Sequence, residues 1–144
     1  MSQTYRITTD PSTFDFAVIH GFLSQCYWAK NIPPATLQKA IQHSLCFAVL
    51  GPAGETVGFA RMITDRATFA YLADVFVLES HRNLGLGKQL IQYIDTHPDL
   101  QGLRRKVLAT RDAHGLYRQF GYTELANPDT FMEVWDPQVY LGSN

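Results

Sequence analysis

The chain has 144 residues, a mass of 16.3 kDa and a formal net charge of −1 at pH 7. Hydrophobic residues make up 46% and charged residues 17%, which predicts a folded chain with a real core and excludes disorder. The absence of a net-basic footprint or a polybasic stretch argues against nucleic acid and acidic membranes as partners. The length predicts one domain that spans residues 1–144.

Membrane insertion and secretion are not expected. The longest unbroken apolar run, residues 45–50, is far too short to span a bilayer. The first residues are polar and lack the apolar core of a signal peptide. Cys26 and Cys46 have no partner motif, and the histidines show no paired ligand spacing, so no metal is predicted. These features predict a cytoplasmic protein.

Short strands and helices alternate along the chain. Alternating β-branched and aromatic residues predict strands over residues 4–9, 45–50, 56–64, 67–77, 106–110, 122–125 and 130–135. Apolar residues at helical spacing predict helices over residues 14–23, 35–44, 86–97 and 113–120. The strand–loop–helix–strand unit in the middle requires a crossover and predicts a parallel pair, whereas the meander before it predicts antiparallel pairing. A mixed sheet with helices on both faces follows, in the α/β or α+β class.

The loop before the third helix has the composition of an anion site. A buried-looking strand ends at Val77, and the first turn of the next helix contains Gly85 and Gly87. Helix N-termini offer unsatisfied N–H groups and positive potential, and glycine lets a phosphate approach the backbone. Arg82 and Lys88 add cationic donors.

Two common glycine-loop motifs do not fit this spacing. A dinucleotide fingerprint requires glycine where Leu90 stands. A P-loop requires glycine at the position of Arg82 and serine or threonine at that of Gln89. A plain helix start, with glycines for turning, remains the alternative to a ligand site.

The pattern Arg82-x-x-Gly85-x-Gly87 resembles the Gln/Arg-x-x-Gly-x-Gly/Ala signature of the GNAT superfamily of N-acetyltransferases. The element order resembles that fold over nearly all of the chain, which implies a GNAT-like acyl-CoA N-acyltransferase fold. In that family the loop binds the pyrophosphate of acetyl-CoA. Asn83 departs from the glycine of many members, but asparagine tolerates left-handed backbone angles. The resemblance implies cofactor-binding roles for Phe76, Val77, Arg82, Asn83, Leu84, Gly85, Leu86, Gly87 and Lys88.

A second motif, Leu116-Tyr117-x-x-x-Gly121-Tyr122, is similar to the family's Leu-Tyr-x-x-x-Gly-Phe/Tyr motif. The resemblance implies that Tyr117 is the general acid that protonates the CoA sulfur. A phenol suits that task because it is neutral at pH 7 and can donate one proton. Packing of this tyrosine on an amphipathic helix is the alternative.

The resemblance also implies that the strand before the loop diverges from its parallel neighbour, so that backbone amides near Val77 bind the donor and polarise the acetyl carbonyl. Asp74, a carboxylate in an otherwise apolar strand, is the first candidate for the base. It is expected to share a sheet face with Phe76. A structural carboxylate that pairs with Arg61 is the alternative.

Further candidates for the base are weaker. Glu79 is expected in solvent, Asp112 as the N-cap of the fourth helix, and His114 at the surface. On the acceptor side, Tyr27 and Trp28 lie in an aromatic, proline-stiffened connection, and they are expected to line the substrate site or to stack on a cationic amine. A hydrophobic plug between helices is the alternative.

The resemblance implies an enzyme, an N-acetyltransferase that moves the acetyl group of acetyl-CoA to a primary amine of a small molecule or peptide by direct attack. The alternative is a non-catalytic CoA-binding module that acts as a sensor or scaffold. No nucleic-acid or membrane partner is expected. The resemblance leaves room for a homodimer.

Overall fold

The computed structural model describes residues 4–141. A five-stranded sheet has the order β1-β2-β3-β4-β5. Its strands are Arg6–Thr8, Leu45–Leu50, Thr56–Thr64, Phe69–Val77 and Arg105–Leu108. The pairs β1–β2, β2–β3 and β3–β4 are antiparallel, and β4–β5 is parallel. The mixed sheet predicted from the sequence is confirmed.

Helices cover both faces of this sheet. Their bounds are Phe16–Leu23 for α1, Pro34–Gln42 for α2, Leu86–Asp95 for α3 and His114–Arg118 for α4. One core cluster joins α1 and α2 to the sheet through Ile19, Leu23 and Leu37. A second cluster joins α3 and α4 to the opposite face. The start of α1 differs from the prediction by two residues because Asp15 is its N-cap and accepts bonds from the N–H groups of Ala17 and Val18.

Helix α3 anchors the loop that precedes it. Its apolar residues recur at helical spacing and are buried against the sheet: Leu86, Leu90, Ile91 and Ile94. Burial of each such side chain contributes about 1.5–3 kcal/mol relative to exposure. Among residues 4–141, no helix combines the length and apolar character needed to cross a bilayer.

Strand β4 contains a bulge at Asp74. Its partner β3 sets Arg61 opposite Ala73 but Phe59 opposite Phe76, so two residues of β4 face one residue of β3. Asp74 has a φ of 59°, in the left-handed region. The bulge interrupts the strict alternation from which a shared face with Phe76 was predicted. The contacts of Asp74 with Trp28, and of Phe76 with α1, nevertheless direct both side chains to the α1–α2 face.

The two closing strands predicted over residues 122–125 and 130–135 are wrong. In the structure these residues form turns and irregular backbone around a single 3-10 turn, Pro128–Thr130. A strand requires a hydrogen-bonded neighbour in addition to β propensity, and these segments pair with no strand among residues 4–141.

Candidate active site

A cleft opens beyond the last paired residues of β4 and β5. Their parallel pairing ends at Leu72 and Leu108, whereas β4 continues to Val77. The gap, together with the loop after β5 and the α1–α2 connection, encloses about 650 Å³. Beyond Leu72 one edge of β4 has no partner in β5 and is open toward the cleft, whereas the divergence that the resemblance implies stays a prediction.

The fold brings together four of the predicted site residues that are far apart in sequence. Tyr27 and Trp28 from the α1–α2 connection, Asp74 from β4 and Tyr117 from α4 all line this cleft. Phe76 and Val77 lie further along β4 and lead into the glycine loop. The predicted catalytic and acceptor-side residues thus share one cavity, and the predicted donor-side residues lie at the end of the same strand.

Tyr117 is held as a buried phenol. Its side chain is 7% exposed, and its ring packs edge-on against Tyr122 at a centroid distance of 5.9 Å. Within residues 4–141 its hydroxyl makes no hydrogen bond, so the proton is available to a ligand in the cleft. Burial raises the pKa of Tyr117 above the ordinary tyrosine value, which keeps the phenol protonated at neutral pH.

Asp74 is held by two donors. Its Oδ1 accepts a hydrogen bond from Trp28 Nε1 at 2.9 Å, and its Oδ2 accepts one from Arg61 Nε at 2.7 Å. The side chains of Asp74 and Arg61 are 6% and 15% exposed, so this ion pair is largely desolvated. The sequence left open whether Asp74 pairs with Arg61, and the structure shows that pair. This pairing favours a role in which Asp74 positions Arg61 and Trp28. The role of Asp74 as a general base stays a prediction.

We expect Asp74→Asn to lower the free energy of unfolding by about 2–3 kcal/mol, because it leaves the Arg61 charge buried without its counterion. Asparagine keeps an acceptor for Trp28 and tolerates the positive φ. Urea unfolding measures the loss. The matched control is Asp99→Asn, which breaks the exposed pair with Arg66 and should cost at most about 1 kcal/mol.

Equal losses of unfolding free energy in Asp74→Asn and Asp99→Asn would contradict the view that the buried Asp74–Arg61 pair stabilises the fold. Kinetics of the same Asp74→Asn protein separate the two roles of the carboxylate. A loss of kcat at every pH with an unchanged KM supports a general base, whereas a raised KM that is independent of pH supports positioning of Trp28 and Arg61.

Arg111 is a cleft residue that the sequence prediction missed. Its guanidinium carbon lies 3.7 Å from the centroid of the Tyr27 ring. The Tyr27 face that was predicted as a stacking surface for a cationic amine is therefore occupied by a residue of the chain itself. A usable signal did exist, because Arg111 follows the carboxyl end of β5, where diverging parallel strands place their loops.

The weaker candidates for the base also have definite positions. Asp112 was expected to cap α4, but the N-cap is Ala113 and no side chain makes that capping bond. Asp112 instead lines the cleft. Glu79 lies in a 3-10 turn at the end of β4, and His114 lies on α4, exposed and outside the cleft lining. Of these three, Asp112 is the one that lines the cleft.

The glycine loop forms a backbone cradle at the start of α3. Two of its residues have left-handed backbone angles, Asn83 with φ 65° and Gly85 with φ 77°. Asparagine therefore adopts the conformation expected of it. Gly85 is the N-cap of α3, and no side chain supplies a capping bond. The N–H groups of the first helical turn, from Leu86 to Lys88, accordingly have no acceptor within the helix and can bind an anionic ligand.

Protein packing does not explain the second glycine of the cradle. A Cβ on Gly87 would meet nothing within 4 Å, and its φ is not in the left-handed region. Glycine at a helical position costs about 0.5–1 kcal/mol relative to alanine, so open space above Gly87 suits the close approach of an anionic ligand.

The side chains of the loop divide into two groups. Leu86 is buried in the core, so it can contribute only its backbone to a ligand. Leu84 is exposed, and so is Lys88. Arg82 donates from Nε to the Val77 carbonyl at 2.9 Å, which ties the loop to the end of β4 and leaves its terminal nitrogens for an anion. The donor set fits a phosphate group.

Comparison with known proteins agrees with this architecture. A family model described as an acetyltransferase (GNAT) domain matches residues 42–124, which include β2 to β5 and α4. A Gibberella zeae protein named as a putative acetyltransferase is 34% identical, over 78% of this chain and 75% of that protein. The matched domain and the similar protein place the chain in the class of acetyltransferases. The chain belongs to the GNAT family of acetyltransferases.

Solved structures show the same fold. The crystal structure of a putative GNAT-family acetyltransferase from Xanthomonas campestris is 51% identical, with a TM-score of 0.93 over 96% of this chain and 97% of that one. The fold also matches Rv2747 from Mycobacterium tuberculosis, determined in complex with CoA. That chain has 20% identity and a TM-score of 0.66, over 83% of this chain and 72% of its own.

Proposed function

We propose that this protein transfers the acetyl group of acetyl-CoA to a primary amine of a small molecule or peptide by direct attack. The observation that carries the proposal is the position of Tyr117. It lies in the wall of the cleft beyond the β4–β5 pairing, its hydroxyl has no hydrogen-bond partner among residues 4–141, and a phosphate-compatible cradle follows the end of β4. A CoA complex of a protein with the same fold supports CoA as the donor.

On the donor side, the backbone N–H groups at the start of α3 bind the pyrophosphate, aided by Arg82 and Lys88. Their positive potential comes from the helix dipole and from two cations, which suits a polyanion. The open edge of β4 beyond Leu72 presents backbone amides to the pantetheine arm. An N–H at Val77 or its neighbour polarises the acetyl carbonyl, which contributes a few kcal/mol to transition-state stabilisation.

On the acceptor side, Tyr27 and Trp28, with Arg111 stacked on Tyr27, form a wall that positions the amine. The neutral amine forms a bond to the acetyl carbon, and the C–S bond breaks. Tyr117 donates its proton to the departing sulfur and is later reprotonated from solvent. The proton of the amine leaves through Asp112 or a water chain, with Asp74 as the other candidate.

Thermal melting with acetyl-CoA, CoA, ATP and NAD in parallel tests the donor site. Ligand at one hundred times its dissociation constant adds about 2.7 kcal/mol, which corresponds to a rise in Tm of roughly 5–10 °C for a chain of this size. We expect that rise with acetyl-CoA and CoA alone. No shift at saturating acetyl-CoA would contradict the proposal. A shift without thiol release from any amine would indicate a CoA-binding module instead.

A further inference from the structure

Among its described lining residues, the cleft has one cation that no anion of the fold compensates. Two arginines line it, Arg61 and Arg111. Arg61 is committed to the fold, because its Nε donates to Asp74 at 2.7 Å and its Nη1 donates to the Ser44 hydroxyl at 3.2 Å. Within residues 4–141 the Arg111 side chain forms no ion pair and no hydrogen bond. The charge of Arg111 is therefore available to a molecule in the cleft.

Contact with Tyr27 holds the Arg111 guanidinium at the wall of the cleft. The guanidinium carbon lies 3.7 Å from the centroid of the Tyr27 ring. An aromatic face attracts a cation but offers no lone pair in the manner of an oxygen, so the N–H donors of the guanidinium keep their capacity for a ligand. The contact also restricts a long side chain before binding, which reduces the conformational entropy that binding must remove.

This contact decides which charge favours entry to the acceptor side. A cationic group at the same Tyr27 face would be repelled by Arg111, whereas an anionic group would be attracted to it. The next residue along the chain, Asp112, also lines the cleft, and within residues 4–141 it forms no ion pair. The cleft thus presents an available cation and an available anion on neighbouring residues.

Resting on the proposed function, we propose that the acceptor is an amino acid, an amine that also carries a carboxylate, and that Arg111 binds that carboxylate. The guanidinium fork matches a carboxylate in a bidentate geometry. Asp112 attracts the ammonium group before it loses its proton and attacks. The cleft volume of about 650 Å³ suits a small molecule. The carboxylate takes no part in bond making, so Arg111 determines specificity and does not act on the reacting atoms.

Thiol release from paired amines tests the proposal on the full chain. The pairs are phenylalanine and phenethylamine, lysine and cadaverine, and 4-aminobutanoate and propylamine, whose members differ by one carboxylate. We expect kcat/KM for the carboxylated member of at least one pair to be about 10- to 100-fold higher, the range expected for a hydrogen-bonded charge pair. Because a carboxylate also lowers the pKa of a neighbouring amine, the dependence of this preference on Arg111 is the decisive measurement.

Arg111→Gln is the variant that isolates the guanidinium. It should raise KM for the carboxylated member by about 10- to 100-fold, while the decarboxylated member loses less than about threefold. Arg111→Lys keeps the charge without the fork and should lose less than Arg111→Gln. Arg111 is exposed, so both variants should fold, with Tm as the check. Arg6→Gln is the matched control, because Arg6 is an exposed arginine on β1, at the opposite edge of the sheet.

Two results would overturn the assignment of Arg111. Equal changes in KM for both members of every pair would show that Arg111 supports the wall and does not bind a carboxylate. An Arg111-dependent preference for phosphoethanolamine over all the amino acids would show that this cation binds a phosphate. A preference for amino acids that survives Arg111→Gln would likewise contradict the proposal.

Melting with acetyl-CoA separates a failure of this proposal from a failure of the proposed function. If acetyl-CoA raises Tm and amines release thiol without regard to a carboxylate, this proposal fails and the proposed function stands. If acetyl-CoA raises Tm but none of the paired amines releases thiol, the amino-acid acceptor is contradicted and the donor site stands. No rise in Tm with acetyl-CoA contradicts the proposed function itself.

Discussion

Replacement of Tyr117 by phenylalanine is expected to lower kcat by about 100-fold or more, because it removes the proton that neutralises the departing thiolate. KM for acetyl-CoA should change little. The ring and its edge-on contact with Tyr122 remain, and within residues 4–141 the lost hydroxyl had no hydrogen bond, so the fold should be unaffected. Steady-state thiol release, with Tm as the check on folding, measures both quantities.

Tyr122→Phe is the matched control. The Tyr122 side chain is half-buried, and its hydroxyl is buried with no hydrogen-bond partner among the described residues. Its removal should leave kcat within about threefold of the unmodified value and should not reduce stability. An equal loss in both variants would show that Tyr117 acts through packing and not as an acid.

The pH profile provides an independent reading of the same residue. Burial raises the pKa of Tyr117, so the protonated form that donates survives to higher pH than in a free tyrosine. Activity should therefore fall only above pH ~10, as the pH rises through the raised pKa. The residual activity of Tyr117→Phe should lack this alkaline decline. A decline at the same pH in that variant would assign it to another group.

The second large effect is expected from Gly87→Asp, which should weaken acetyl-CoA binding by about 100- to 1000-fold. A carboxylate about 4 Å from a phosphate costs roughly 4 kcal/mol at an effective dielectric constant of 20. The same carboxylate lies in the first turn of α3, where the helix dipole favours negative charge, so the free protein should become slightly more stable. Titration calorimetry measures the weaker binding of acetyl-CoA, and thermal melting measures the higher stability of the free protein.

Gly87→Ala is the control at the same position. Its Cβ meets nothing within 4 Å, and alanine falls within the loop pattern, so binding should change by less than about tenfold while helix propensity raises stability. If Gly87→Asp bound acetyl-CoA normally, the start of α3 would not be the phosphate site. A loss of stability in Gly87→Asp would point instead to a packing role for this glycine.

The sequence was sufficient to predict strands β1 to β5, the four helices and the directions of the pairs β2–β3, β3–β4 and β4–β5. These features follow from local periodicity and from the length of the connection between β4 and β5. The left-handed backbone conformation at Asn83 was also compatible with the sequence, because asparagine tolerates such angles. The gathering of Tyr27, Trp28, Asp74 and Tyr117 in one cleft required the resemblance, because nothing in the spacing of these residues shows that they meet.

Other features could not be obtained from a single sequence. The bulge at Asp74 depends on the register between β3 and β4, which alternation alone does not report. The contact of Arg111 with Tyr27 joins two loops that lie more than eighty residues apart. The closing strands were predicted from composition, and composition does not show whether a strand will find its neighbour within the same chain.

The short pairing between β4 and β5 also bears on the order in which parts of the fold form. The meander from β2 to β4 is built from contacts between neighbouring segments, which close short loops at little entropic cost. The four-residue register of β4 with β5 spans the whole crossover through α3, so it is non-local and slower to form. The cavity between these strands has no walls until that late contact exists. Acetyl transfer, where it is observed, therefore reports that this non-local contact has formed.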